Sequence, residues 1–291
     1  MFKATETATG RDVAIKRSQK VGNKISREFE VLTALQGKPN VIQLLDFFYT
    51  VDTKDRLIQN AVFEFCHESL EDVLKRYSEP GSGFMPMAEV RRYTREILNG
   101  LSHMHAMRIV HRDLKPENIL LLKSGEVKIC DLGSSKFIDE RTFMNTPYVV
   151  SRYYRAPELI FACNTYNESI DIWAVGCILF EVLTKTPLFP GDTEGLQILE
   201  QACVIGSPTE RDLNILSSMV EDRVLKIVRK SPPLPAMDFR KLFSASGAYT
   251  QEEVAEAADL VKAMLKWVPQ ERISADHAMR HQFFLHHIFE T

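Results

Sequence analysis

Three polar side chains flank a short apolar stretch of the chain and could together hold a metal ion and a phosphate. Asp113 and Asn118 belong to the run at 111–118 (HRDLKPEN), and Asp131 follows the apolar stretch. Carboxylate and amide oxygens suit Mg²⁺, and an additional Asp can accept a hydroxyl proton. These residue types are the minimum set for phosphoryl transfer.

The chain between Asn118 and Asp131 has the pattern of a β-hairpin. Two apolar runs, 119–122 and 127–130, are separated by Ser124 and Gly125, and turn residues between short apolar runs predict paired strands. A hairpin brings its two ends together. We therefore expect Asp113, Asn118 and Asp131 to converge on one spot.

These motifs resemble those of the eukaryotic protein kinases, whose catalytic loop reads H-R-D-L-x-x-x-N and whose metal motif reads D-F-G. The resemblance implies that Asp113 orients the substrate hydroxyl and receives its proton, and that Lys115 neutralises charge on the transferred phosphoryl group. It assigns Mg²⁺ to Asn118 and Asp131. Lys115 is followed by Pro and Glu, as in serine/threonine kinases, whereas Leu132 replaces the usual Phe.

The resemblance also implies an ATP site. Lys16 ends the motif VAIK and matches the lysine that holds the α- and β-phosphates. Its partner would be a Glu on the next helix, predicted at 25–35 with Ser26 as N-cap. Glu28 and Glu30 both compete, and the family's R-E pattern favours Glu28. Backbone groups of Glu64 and Cys66, in a hinge after the gatekeeper Phe63, would hydrogen-bond adenine.

Lys16 and Glu28 lie only 12 positions apart. Many kinases have a longer connection here, and the short one resembles the glycogen synthase kinase 3 family within the CMGC group. That family reads a phosphate already present on its substrate. The resemblance places the corresponding phosphate pocket at Arg27, Arg112 and Lys136, because Arg makes bidentate, charge-assisted bonds with phosphate.

The stretch 145–155 (NTPYVVSRYYR) suggests two ways of filling that pocket. Tyr148 matches the activating phosphotyrosine of the glycogen synthase kinase 3 family. Thr146 and Tyr148 also match the T-x-Y motif of the mitogen-activated kinases, and a phosphorylated Thr146 could occupy the same pocket from within. We favour the primed substrate. Val150 and Arg155 would contact the substrate residue that follows the target, and Arg155 matches an arginine associated with a preference for proline.

The order of predicted elements indicates an α+β, bilobal kinase fold with a small β-rich N-lobe and a large helical C-lobe. We place the N-lobe at 1–63, the hinge at 64–66 and the C-lobe at 67–291, with a CMGC insert at about 191–248 whose part from 221 onward is irregular and Pro-rich. Asp171, in the apolar helix predicted at 169–183, would hold the catalytic-loop backbone. Glu158 would pair with Arg272.

The composition of the chain limits the classes of partner and the cellular setting that we expect. The net charge of −3 gives no global attraction to nucleic acid or membrane, and no apolar run is long enough to span a bilayer. The five cysteines lack a C-x-x-C pair, which favours a reducing cytoplasmic setting with access to the nucleus. We expect protein substrates, including pre-phosphorylated ones, with ATP and Mg²⁺ as cofactors.

One family motif is missing from the sequence. No G-x-G-x-x-G loop precedes Lys16, and residues 1–4 align with the strand that follows that loop in kinases, so we expect an N-lobe without its first strand. We expect Met1 to be an internal residue of a longer protein. Were Met1 the true start, nucleotide binding would be weak, and the alternative function is a kinase-fold scaffold. A partner helix could then dock on Leu196, Leu199 and Ile205.

Overall fold

The structure, a computed structural model, describes residues 1–20, 26–138, 152–161, 163, 166–220 and 222–285. Its strands are β1 Phe2–Thr5, β2 Asp12–Gln19, β3 Leu44–Val51, β4 Leu57–Glu64, β5 Glu68–Ser69, β6 Ile109–Val110, β7 Ile119–Leu121, β8 Val127–Ile129 and β9 Lys136–Phe137. Its α-helices are α1 Arg27–Ala34, α2 Leu70–Ser78, α3 Met87–Ala106, α4 Pro157–Ile160, α5 Ser169–Thr184, α6 Glu194–Ile205, α7 Glu210–Leu216, α8 Asp222–Lys230, α9 Phe239–Ser244, α10 Gln251–Met264 and α11 Ala275–Ala278.

The first part of the chain forms an antiparallel sheet in the order β1-β2-β4-β3. Helix α1 follows β2, and Ser26 is its N-cap, as predicted: the Ser26 hydroxyl accepts a hydrogen bond from Phe29 N at 3.3 Å. Phe29 in turn contacts Phe47 of β3, with ring centroids 4.5 Å apart. This contact fastens α1 to the sheet and so orients the face of α1 that carries Glu28.

The rest of the chain is mainly helical and is organised around α5. Fourteen of its sixteen residues are buried, as expected for a helix that is apolar on every side. Helices α3 and α10 both pack against α5. A small β-rich part followed by a large helical part confirms the predicted α+β, bilobal fold. The hinge predicted at 64–66 lies between the end of β4 and the start of β5, and the lobe boundaries stay predictions.

The predicted hairpin is present as β7 and β8, which pair in an antiparallel register with Ile119 opposite Ile129. The turn contains Gly125 at a φ of +85°, a conformation that residues with a Cβ rarely adopt. All the strand residues of this hairpin except Leu120 are buried. The buried hairpin therefore fixes the separation between Asn118 and Asp131.

The prediction of an irregular segment at 221–248 is wrong. Helix α8 and helix α9 occupy much of it, and the prolines are confined to the linker between them, at 232, 233 and 235. Asp238 caps α9 by accepting a hydrogen bond from Arg240 N at 3.0 Å. Phe239 and Phe243, one helical turn apart, are buried against Phe180 of α5. Burial of this aromatic pair outweighs the helix-breaking effect of the nearby prolines.

The loop before β3 packs closely against α3. Val41 forms a parallel bridge with Ile129 of β8, and β3 starts at Leu44. Asn40, at a φ of +59°, directs the chain toward α3. A Cβ on Gly100 of α3 would lie 2.7 Å from the Asn40 carbonyl oxygen. The close approach of this loop to α3 therefore requires a glycine.

Gly100 gives a test of this packing. We expect Gly100→Ala to lower the free energy of unfolding by about 1–3 kcal/mol, because the new methyl group must displace backbone. Gly195→Ala is the matched control, since a Cβ there meets nothing within 4 Å and Ala favours a helix over Gly. Urea unfolding of both variants measures the difference. Equal stability of the two variants would contradict the close approach.

Candidate active site

A single buried carboxylate holds the backbone of the catalytic loop. Asp171 of α5 is 1% exposed and accepts hydrogen bonds from His111 N at 2.9 Å and Arg112 N at 3.0 Å. His105 Nε2 lies 3.0 Å from the same carboxylate. Burial alone would raise the pKa of Asp171, but the bonds and charges of His105 and His111 outweigh it and lower the pKa. Asp171 therefore stays ionised at the base of the loop.

The hairpin brings the predicted catalytic residues together. Asn118 Nδ2 donates to the Asp113 carbonyl oxygen at 2.7 Å and to Asp113 Oδ2 at 3.2 Å. At the other end, Cys130 N donates to the Asn118 carbonyl oxygen at 2.9 Å. These bonds connect Asp113 with the residue preceding Asp131 through Asn118 alone.

Asp131 faces the small lobe. It adopts the left-handed backbone conformation, with φ at +56°, which is uncommon for a residue other than Gly and is often found at functional sites. Its carboxylate lies 3.2 Å from Lys16 Nζ, and Glu28 Oε1 lies 2.7 Å from the same nitrogen. The structure thus places Glu28, rather than Glu30, beside Lys16.

The charges around Lys16 keep it protonated. Burial lowers the pKa of Lys16, but the hydrogen bond and charge of Glu28, together with those of Asp131, outweigh burial and raise the pKa above its usual value. A permanently charged ammonium group between two lobes is suited to anionic oxygens such as those of a polyphosphate.

Asp113 lies in a different environment. It is 8% exposed, and burial raises its pKa, although the charges of Lys115 and His111 oppose the rise. Lys115 itself lies 3.9 Å from Glu117. A carboxylate whose affinity for protons is raised is better suited to accept one from a hydroxyl group.

The first residue of the predicted hinge, Glu64, lies near a lysine that sequence reasoning missed, although that lysine is closer to Glu126, at 2.8 Å. Glu64 Oε1 accepts from Gln43 N at 2.9 Å and lies 3.7 Å from Nζ of Lys128, a buried residue of β8. Phe63 is buried, while Cys66 is half-buried and its thiol pKa is raised to about 12, mainly by burial. The available signal was a lysine inside an apolar strand, since such a charge needs a partner.

The three basic residues predicted to form a phosphate pocket are electrostatic neighbours. Arg112 donates from Nε to the Ser134 carbonyl oxygen at 2.5 Å and from Nη1 to Tyr166 Oη at 2.9 Å. Burial, followed by the charges of Arg112 and Arg27, lowers the pKa of Lys136. Burial is the larger cause, and the two guanidinium charges add to it because like charges held near one another disfavour the protonated form.

Arg155, predicted to contact the substrate, lies near Asp113. It lines a small cavity that Asp113 also lines, and burial together with the charge of Arg152 lowers its pKa, while Asp113 acts in the opposite sense. The other predicted residues of this segment, Thr146, Tyr148 and Val150, lie outside the described residues.

The chain just after the segment 145–155 is anchored by the predicted ion pair. Glu158 and Arg272 form a two-pronged ion pair, at 2.6 and 2.7 Å, and both side chains are 0% exposed. Such a buried pair is costly to break, because either partner alone would be an uncompensated charge. It fixes the start of α4 to the far end of the helical lobe.

The donor set suits Mg²⁺. Asn118 commits its amide nitrogen to Asp113, which leaves the amide oxygen for a cation, and Asp131 supplies a carboxylate. Mg²⁺ usually takes one or two such protein ligands and completes its shell with water and substrate phosphate. Within the described ranges, no cluster of three or more His, Cys, Asp or Glu residues could hold a metal by itself.

The fold and this geometry agree with what the whole chain matches. Residues 1–284 match the model of the protein kinase domain, and the chain belongs to that family; its activity class is protein serine/threonine kinase. The chain is also 33% identical over 273 residues to Protein kinase gsk3 of Schizosaccharomyces pombe, a match that covers 93% of this chain and 67% of the relative. This similarity confirms the resemblance to CMGC kinases of the glycogen synthase kinase 3 type.

No helix within the described residues is long and apolar enough to traverse a lipid bilayer. Members of the kinase family use ATP with a divalent metal.

The role of Asp171 can be tested directly. We expect Asp171→Asn to lower kcat by at least about tenfold, because the amide loses the charge that strengthens two backbone hydrogen bonds, while the KM for ATP changes little. Asp259→Asn, which removes a carboxylate beside His281, is the control for loss of an Asp–His contact. A kcat equal to that of the wild type would refute the anchoring role.

Proposed function

We propose that this kinase transfers the γ-phosphate of Mg-ATP to Ser or Thr residues that lie four positions before an existing phosphate. Asp113 would orient the hydroxyl and accept its proton, and Lys115 would neutralise charge on the moving phosphoryl group. Asn118 and Asp131 would hold Mg²⁺, which would supply positive charge to neutralise the phosphates. Lys16, held by Glu28, would hold the α- and β-phosphates, and backbone groups of Glu64 and Cys66 would bind adenine.

One feature supports the priming part of the proposal: burial and, after it, the charges of Arg112 and Arg27 lower the pKa of Lys136, so these three cations lie near one another. Like charges held together raise the free energy of the unliganded protein, and a bound phosphate would relieve it. The Arg112 guanidinium is already oriented by neutral partners, Ser134 and Tyr166, so it keeps its charge for a ligand. Arg155, beside Asp113, supports a preference for proline after the target.

Matched peptides test priming. We expect a peptide with phosphoserine four residues after the target to be phosphorylated efficiently and its unphosphorylated twin poorly, in a radiolabelled transfer assay with Mg-ATP. Lys136→Met should raise the KM for the primed peptide about tenfold, because a charge-assisted hydrogen bond is lost. Lys123→Met, an exposed lysine at the hairpin turn, should change nothing.

The same assay has three contrary outcomes. Equal transfer to both peptides would sink priming and point to phosphorylated Thr146 in the basic pocket. Transfer that persists in Asp131→Asn would refute the metal role of Asp131. No transfer to any peptide would favour the second candidate, a scaffold, for which the exposed Leu196 and Leu199 of α6 (48% and 50% exposed) are the supporting observation.

The acid side of the pH profile tests Asp113. The reaction needs the carboxylate, so a raised pKa moves the loss of kcat/KM to a higher pH than that of an ordinary Asp, about 3.9. Lys115→Met removes a charge that opposes the rise, and we expect this acid limb to move further up. Lys123→Met serves again as the control. An acid limb that does not move in Lys115→Met would contradict the assignment of Asp113.

A further inference from the structure

The four residues before Ala156 are attached to the insert that contains α6. Tyr153 Oη donates to Asp192 Oδ1 at 3.4 Å, and the Arg152 guanidinium donates to the Asp192 carbonyl oxygen. The Arg155 carbonyl oxygen accepts from Gln201 Nε2 at 2.9 Å. The segment 152–155, which we call the substrate loop, is thus held by the insert at both of its ends.

Gln201 is unusual for a residue in the middle of a helix. It is 0% exposed, and its amide oxygen has no hydrogen-bond partner, which is true of few buried side-chain atoms in the described part of the chain. Gln197, one turn earlier and equally buried, accepts from Gly191 N at 3.0 Å but leaves its own amide nitrogen without a partner. The two amides form the polar contact between α6 and the segments it supports.

An incompletely bonded amide is a poor way to stabilise a core. A buried polar atom without a partner costs free energy, whereas an apolar side chain of the same shape would not. The hydrogen bond that Gln201 does make is directed at the backbone of Arg155. The chemistry of this residue therefore suits positioning of the substrate loop better than it suits packing.

The hydrogen bond from Gln201 matters because of where Arg155 lies. Arg155 and Asp113 line the same small cavity, and the charge of Asp113 acts on Arg155, so the residue that Gln201 holds lies near the catalytic carboxylate. A hydrogen bond to the Arg155 carbonyl oxygen fixes the plane of the peptide between Arg155 and Ala156. That plane sets the shape of the surface that the next substrate residue meets.

We propose that Gln201 is a positioning residue that determines how strongly the enzyme discriminates among residues following the target Ser or Thr. Gln201 does so by holding the Arg155 carbonyl oxygen, and touches neither the substrate nor ATP. This inference rests on the proposed kinase function and deepens it. It assigns specificity to a side chain on α6, outside the catalytic and activation motifs.

Gln201→Met tests the inference, since Met has nearly the same length and no donor. Two peptides are compared that both carry phosphoserine four residues after the target and differ only in Pro or Ala directly after it. We expect the ratio of their kcat/KM values to fall by about threefold to tenfold, the worth of one hydrogen bond, mainly through a higher KM for the Pro peptide. The thermal midpoint should change little, because removal of the unpaired amide oxygen offsets loss of the hydrogen bond to the Arg155 carbonyl oxygen. Cys203→Ala, an exposed residue of the same helix, is the matched control.

Amide hydrogen exchange provides a readout that does not need activity. We expect faster exchange in a peptide covering 152–160 of Gln201→Met and unchanged exchange in Cys203→Ala. Unchanged exchange in Gln201→Met would overturn the inference. So would a lower thermal midpoint with equal losses on both peptides, because that pattern describes a purely structural residue.

The outcomes separate this inference from the proposed function. A wild-type protein that phosphorylates both peptides equally well would overturn the role of Gln201 in specificity while leaving the kinase function intact. A wild-type protein that phosphorylates neither peptide would refute the proposed function. Exchange alone would then decide whether Gln201 anchors the loop, with faster exchange supporting it and unchanged exchange overturning it.

Discussion

The active site depends on one buried carboxylate that accepts hydrogen bonds from two consecutive backbone N–H groups. Asp171 holds His111 and Arg112 in this way, and Arg112 adopts a φ of +72°, a strained conformation for a residue other than Gly. Strain of this kind persists only where surrounding bonds over-determine it. Because α5 is buried on nearly all sides, Asp171 is held in place. The loop that contains Asp113 is therefore held in place as well.

The hairpin between Asn118 and Asp131 transmits that rigidity to the small lobe. Backbone and amide bonds of Asn118 join it to Asp113 at one end and to Cys130 at the other. Asp131 then reaches Lys16, which Glu28 holds from α1. A shift of α1 would therefore break a contact of Lys16, and Lys16 would lose one of the two charges that keep it protonated. The position of α1 and the charge of the phosphate-binding lysine are physically linked.

The parts of this site that sequence predicts are those with local signals. Ser26 as a cap, the turn at Gly125 and the apolar surface of α5 each have a local physical cause, and each is present. Periodicity could not separate Glu28 from Glu30, because the choice depends on where α1 packs. Gln201 gave no local signal, since a glutamine in a helix is usually exposed, and its burial follows from how the insert folds back on the substrate loop. Helix α9 was missed because nearby prolines masked a buried aromatic pair.

Charge is arranged in opposite ways around Lys16 and around Lys136. Lys16 lies between carboxylates, which outweigh burial and raise its pKa, whereas burial and, after it, the charges of Arg112 and Arg27 lower the pKa of Lys136. Arg112 connects the catalytic loop with the basic pocket. Its backbone is held by Asp171, and its guanidinium is oriented toward Ser134 and Tyr166. An anion that bound beside Arg112 and Lys136 would relieve the repulsion there and, through the Arg112 backbone, would favour the strained loop conformation that places Asp113. Recognition of a phosphate at this pocket and alignment of the catalytic carboxylate would then be a single event.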